Sequence, residues 1–183
     1  MPTPLAELRR GRLVYALFPF SSEFPAELAD GGTHRTVEEL ARAHGGSPVR
    51  LVVEARLRPV LLLHDGTRGE HGDIACLRLN TVKPALKARA DTWRRIVANQ
   101  HPSFFRLPGT ESRHGLRSES VIAIGSIGTV NKTALLGPPV GALSQQEMQD
   151  VNARVARALQ LDLAPLISER ALELLRRAGL AGR

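Results

Sequence analysis

The chain has 183 residues, 43% of them hydrophobic, a formal net charge of +7 and one cysteine, Cys76. That length suits one packed domain with an appendage and argues against two full domains, while a lone cysteine excludes an internal disulfide and a paired-cysteine zinc site. No window approaches the ~18 apolar residues of a membrane span and the charged N-terminus lacks a signal-peptide core, so no membrane association and a cytoplasmic location are expected. Lysine occurs only at Lys83, Lys87 and Lys132, so the positive charge is mostly arginine, and its excess points toward a polyanion such as nucleic acid.

In chain order, RLVYALFPF (12 to 20) is an aromatic and β-branched run that reads as a first strand. Thr36 and Glu39 form a capping box ahead of Val37, Leu40 and Ala41, with Gly45 and Gly46 closing a short helix inside an insertion at about 21 to 48. PVRLVVEARL alternates, with Val49, Leu51, Val53 and Ala55 on one side and Arg50, Glu54 and Arg56 on the other. The unbroken apolar run Val60 to Leu63 predicts a strand covered on both faces, and IACLRLNT a further strand, with Cys76 as a small core residue. Between them, His64, Asp65, Glu70, His71 and Asp73 bracket a glycine-rich turn that reads as a polar turn and not a metal site. No metal or cofactor is expected.

Pro84 fits the first position of a long mid-chain helix running to about Ala98, with Leu86, Ala90, Trp93 and Val97 buried and Lys83, Lys87 and Arg94 in a stripe beside them. HPSFFRLPGTESRHGLRSES reads as loop with one short apolar piece, His101 and His114 lying on its surface. Ser144 and Glu147 make a second capping box, and Met148, Val151, Val155 and Leu159 give the last core helix. The expected domain is residues 1 to 162. Residues 163 to 183 form an extension in which Leu166, Leu172 and Leu175 support one more short amphipathic helix, too short to stand alone.

Residues 118 to 161 carry a more specific pattern: an apolar strand, a Thr129-Val130-Asn131-Lys132 turn, a glycine-rich strand ending Gly141-Ala142-Leu143-Ser144, then Glu147-Met148, Val151 and a helix ending Leu159-Gln160-Leu161. In order and spacing it resembles the C-terminal half of the MazF/PemK family of toxin endoribonucleases. Arg58-Pro59-Val60-Leu61-Leu62 resembles that family's arginine-proline strand, RLVYALFPF its first strand, and IACLRLNT the strand ending in a small hydroxyl residue.

The resemblance implies a mixed β+α fold built on a small SH3-like β-barrel, commonly a homodimer. It also implies metal-independent cleavage of single-stranded RNA through attack of the ribose 2′-hydroxyl on the neighbouring phosphate, growth inhibition, and neutralisation by a cognate antitoxin protein. By position Arg58 matches the family's catalytic arginine and Thr81 its hydroxyl partner, a one-residue shift putting Asn80 there instead; Arg78 is a substitute cation. Candidate RNA contacts are Lys83, Lys87, Arg94, Ser126, Thr129 and His64. The chain departs from the family in VIAIGSIGT: many relatives carry an acidic residue and arginines there, whereas this chain has Ala123, Gly125, Ser126, Ile127 and Gly128. A catalytically inactive module that binds nucleic acid or a protein partner is therefore the alternative.

Overall fold

The computed structural model describes residues 4–19, 26–45, 47–66, 72–109 and 111–161. The extension at 163 to 183, including its expected helix, lies outside the described residues. Among the described residues, nine strands and four α-helices are laid out as β1 (Arg12–Pro19), β2 (Ala26–Leu28), β3 (Thr33–His34), α1 (Val37–His44), β4 (Leu51–Val52), β5 (Ala55–Leu62), β6 (Asp73–Thr81), α2 (Pro84–Lys87), α3 (Ala90–Val97), β7 (Phe104–Leu107), β8 (Ser120–Asn131), β9 (Leu135–Ala142) and α4 (Gln145–Ala158). Six strands form one antiparallel sheet in the order β7-β8-β6-β5-β1-β9, and β3-β2-β4 form a separate small sheet. The mixed β+α class is as expected. The barrel is not closed, because β7 and β9 are the two edges of the large sheet.

Val60, Leu61 and Leu62 are fully buried, so both faces of β5 are covered as the unbroken apolar run predicts. On one face Leu13, Leu61, Leu77, Ile122 and Ile124 pack with Phe105 and with Met148 and Val151 of α4. On the other, Val14, Ala16, Val60, Leu62, Ile74 and Cys76 pack with Leu8 and Leu135. Burial pushes the Cys76 thiol up to about 12, which keeps it protonated and inert. Among the described residues no helix is long and apolar enough to cross a membrane.

Several local expectations are corrected. The alternation across 49 to 56 does not face a core: β4 belongs to the small sheet and β5 to the large one, and Leu51 and Val53 are each 37% exposed. Helix α1 forms behind its Thr36 cap, yet buries no residue. The long mid-chain helix is two helices, α2 and α3, broken at Ala88–Arg89, where Arg89 has a non-helical backbone. The break re-phases the apolar stripe, so Ile96 is buried and Val97 is 44% exposed. FFRL, read as a piece of loop, is edge strand β7. The Ser144–Glu147 capping box of α4 is present, with Met148 and Val151 buried, but Leu159 is exposed.

Candidate active site

The register of β5 and β6 builds the site. Val60 lies opposite Arg78 and Leu62 opposite Cys76, on the face that packs against Leu8. Side chains alternate along a strand, so Arg58, two residues from Val60, and Asn80, two from Arg78, continue that same face where its apolar packing ends. Pro59 has no N–H to donate and biases Arg58 toward extended backbone, and across β1 the residue opposite Arg58 is Ala16, whose methyl leaves space for a guanidinium. Arg58 Nη1 donates to Asn80 Oδ1 at 3.0 Å. Asn80 thus helps to hold Arg58, while Thr81 lines the same cavity from the end of β6.

That cavity is an open groove of about 680 Å³. Arg56, Arg58 and Pro59 form its β5 side; Lys83, Leu86 and Arg89, on and around α2, form the opposite wall; Phe104 and Val121 complete it from β7 and β8. Among the described residues, four of those lining it are cations and none is acidic. The crowding is electrically visible at Arg58: burial first, then the charges of Arg78 and Arg56, hold its guanidinium below the ordinary arginine value. Such a cluster lowers its own energy by taking up an anion.

Arg78 adjoins the groove without lining it. It is pinned by an irregularity in the β6–β8 pairing: Leu77 pairs with Ile127 but Leu79 pairs with Ile122, so residues 123 to 126 bulge opposite Arg78 alone. Ser126 sits in that bulge, and Arg78 Nη2 lies 3.5 Å from its Oγ. Arg78 Nε is buried and has no hydrogen-bond partner among the described residues. The uncharged stretch of β8 is therefore the strand segment that arches past this arginine.

The other expected RNA contacts do not gather here. Lys87 Nζ is 2.6 Å from Glu119 Oε2 and lies 5.3 Å over the Trp93 ring. Arg94 faces solvent with its side chain 79% exposed, 3.3 Å from Asp91. His64 Nε2 accepts from the Ala75 backbone N–H at 3.0 Å, which fixes the ring in its turn. Thr129 pairs with Ala75, remote from Asn80 along β6. Only Lys83 of the helical stripe reaches the groove.

Arg56, Arg89, Leu86 and Phe104 line the groove and were not anticipated there. Arg56 carried a signal, since it stands two residues before Arg58 and so on the same face. Arg89 carried none, because its position depends on the helix break.

Other ionisable clusters have internal partners. Asp65 accepts from the Arg10 N–H at 2.7 Å and Asp73 from Asn131 Nδ2 at 3.1 Å, while Glu70 and His71 lie outside the described residues. His114, expected on a loop surface, is fully buried, its Nε2 3.2 Å from Glu147 Oε1. Among the described residues Glu111, His114 and Glu147 are the group spaced closely enough to hold a metal ion. Arg113 already bridges the two carboxylates, at 2.5 Å from Glu111 and 2.9 Å from Glu147, so the cluster is an ion-pair network securing the start of α4.

No protein-family model and no curated protein matches the chain. Among solved structures it is similar to an endoribonuclease in complex with its cognate antitoxin from a Mycobacterial species, with 15% identity over 84% of this chain and 96% of that one and a TM-score of 0.44. It is similar to the Mycobacterium tuberculosis toxin MazF-mt6, at 18% identity over 58% and 90% with a TM-score of 0.43. A MazE-MazF structure from Deinococcus radiodurans matches at 11% identity over 84% and 96%, with a TM-score of 0.46.

Proposed function

We propose that this protein is a toxin-type endoribonuclease that cleaves single-stranded RNA without a metal and is neutralised by an antitoxin protein, acting as a homodimer. The observation that carries the reading is the Arg58–Asn80 pair in a groove whose described lining holds four cations and no carboxylate. A phosphodiester placed against Arg58 meets a fork of N–H donors matched to two oxygens, with Asn80 fixing the fork's direction. As the ribose 2′-oxygen bonds to phosphorus and the bond to the 5′-oxygen breaks, negative charge builds on the phosphoryl oxygens. A guanidinium already oriented stabilises that charge without reorganising. Thr81, next to Asn80, supplies a hydroxyl at the same site, and Arg56, Lys83 and Arg89 hold the flanking phosphates. An antitoxin segment rich in acidic residues suits the same cations.

A second reading, a binding module without catalysis, is favoured by β8, where Ala123–Gly128 offers no charged side chain. One experiment separates the two. Single-stranded RNA incubated with the purified protein in EDTA should yield fragments ending in 2′,3′-cyclic phosphate. Binding without fragments would select the second reading, and neither binding nor fragments would remove both.

A further inference from the structure

The proposed chemistry makes no use of an aromatic ring, yet the groove presents one. Phe104, the first residue of β7, is half-buried and lines the groove together with Leu86 of α2 and Val121 of β8. His101 stacks on its ring, centroids 5.1 Å apart and planes 29° from parallel. The pair is fixed from behind. His101 Nδ1 accepts from the Ser103 N–H at 3.2 Å, and Arg154 of α4 donates to the carbonyls of His101 at 2.8 Å and Phe104 at 3.0 Å. Burial, and then the charges of Arg95 and Arg154, push the His101 pKa down, so the ring backing Phe104 is neutral. The facing wall is also held: Glu119 ties Lys87 of α2 to Arg106 of β7, both at 2.6 Å, around the Trp93 ring.

A supported aromatic ring in a groove whose described lining holds cations and no carboxylate matches a ligand with a flat apolar part joined to phosphates. We propose that Phe104 floors a base-stacking subsite, in which an unpaired nucleobase lies against Phe104 and Leu86 while its backbone runs past Lys83 and Arg89. This rests on the reading of the groove as an RNA site and adds what determines its specificity. The Arg58 head lies over Asn80 on β6, and β7 is two strands further on, ~10 Å across the sheet. The stacked base therefore belongs to a nucleotide flanking the attacked phosphate, and it must leave any duplex to enter. The preferred substrate is single-stranded on that side of the cut.

The test measures binding, separately from cleavage. Short 2′-deoxy oligonucleotides lack the attacking hydroxyl, and an otherwise identical abasic oligonucleotide keeps the phosphates but lacks the bases. The wild type should bind the base-bearing oligonucleotide about tenfold more tightly than the abasic one, the size of one base–aromatic stack. Phe104→Leu, which keeps an apolar filling, should erase that preference, Phe104→Trp should keep it, and inorganic polyphosphate should bind all three proteins equally. Equal binding of the two oligonucleotides by wild type, an intact preference in Phe104→Leu, or no binding of either oligonucleotide would overturn the subsite. RNA cleavage is scored independently: a base preference that depends on Phe104 in a protein that does not cleave sustains the subsite and removes the nuclease reading, and cleavage without preference does the reverse.

Discussion

Two regions of this molecule gather arginine, and they differ in what stands opposite. At the start of α4, Arg113 meets Glu111 and Glu147, and the buried His114 meets Glu147. In the groove, Arg56, Arg58, Lys83 and Arg89 line a cavity with no acidic residue among its described lining, and Arg78 beside it has a buried Nε with no hydrogen-bond partner among the described residues. Charge neutralised within the protein fixes elements against each other. A groove lined by cations draws anions toward it.

Breaking the first region should break the fold. Gly115 has a backbone φ of 59°, and a Cβ there would overlap the carbonyl oxygen of Val140 on β9. Gly115→Ala therefore combines left-handed strain with a clash against backbone that cannot swing aside, and should cost about 3 kcal/mol or more. Urea denaturation should show the loss directly; an unchanged midpoint would mean that β9 is not held against this turn.

The second region should behave in the opposite way. Arg58→Ala should cut cleavage on the order of a hundredfold, the effect of removing one preorganised donor, while leaving the urea midpoint close to wild type. Arg58→Lys should rescue poorly, because an ammonium cannot form the two-pronged contact. Asn80→Ala should lower the rate more than Thr81→Ala if orienting Arg58 is the larger need. If Arg58→Ala cleaves as fast as wild type, catalysis lies elsewhere, and Arg78 is the next cation to remove.

Part of the second region was legible in the sequence, because the family resemblance that singled out Arg58, Asn80 and Thr81 is carried by short stretches. Arg58 before Pro59, the pair Asn80 and Thr81 at a strand end, and Lys83 before Pro84 are features of short stretches, and strand alternation carries Arg58 and Asn80 to one face. The Ser144–Glu147 cap was legible on the same grounds. The losses are all long-range. His114 is buried by Glu147, 33 positions away, and Phe104 joins a strand only because Ala123 of β8 pairs with it. Nothing between Ala88 and Ala90 forbids a helix; the break there accompanies tertiary contacts, Lys87 to Glu119 before it and Trp93 under Arg106 after it. Arg89 reached the groove through that break, so no local pattern announced it.

Glu119 lies beside the groove and shapes its wall through ion pairs to Lys87 and Arg106. Burial pushes its carboxyl up, but hydrogen bonds from Lys87 and Arg106 and their charges outweigh this and leave it below the ordinary 4.5. A depressed folded value contributes stability above the unfolded value, and that contribution is lost as pH falls through the folded value. Glu119→Gln should therefore cost about 1 kcal/mol near neutral pH, and its gap from wild type should close on acidification below about pH 4.5. Because α2 carries Leu86 and precedes Arg89, KM should rise a few-fold with kcat little changed. A fall in kcat with KM constant would instead place Glu119 in the chemistry.

The smallest effect belongs to Arg94, which tests whether net charge alone explains RNA binding. Its side chain is 79% exposed and its partner Asp91 is 91% exposed, so the pair is screened and contributes little to stability. It lines no part of the groove. Arg94→Ala should change the unfolding free energy by less than about 0.5 kcal/mol, and leave cleavage and the salt dependence of binding at wild-type values. Arg89→Ala removes the same formal charge from the groove wall and should reduce the salt slope by about one. If the two variants weaken binding equally, RNA is held by the overall positive field, and position in the groove has no functional content. If only Arg89→Ala does so, position in the groove decides which of the chain's cations meet phosphate.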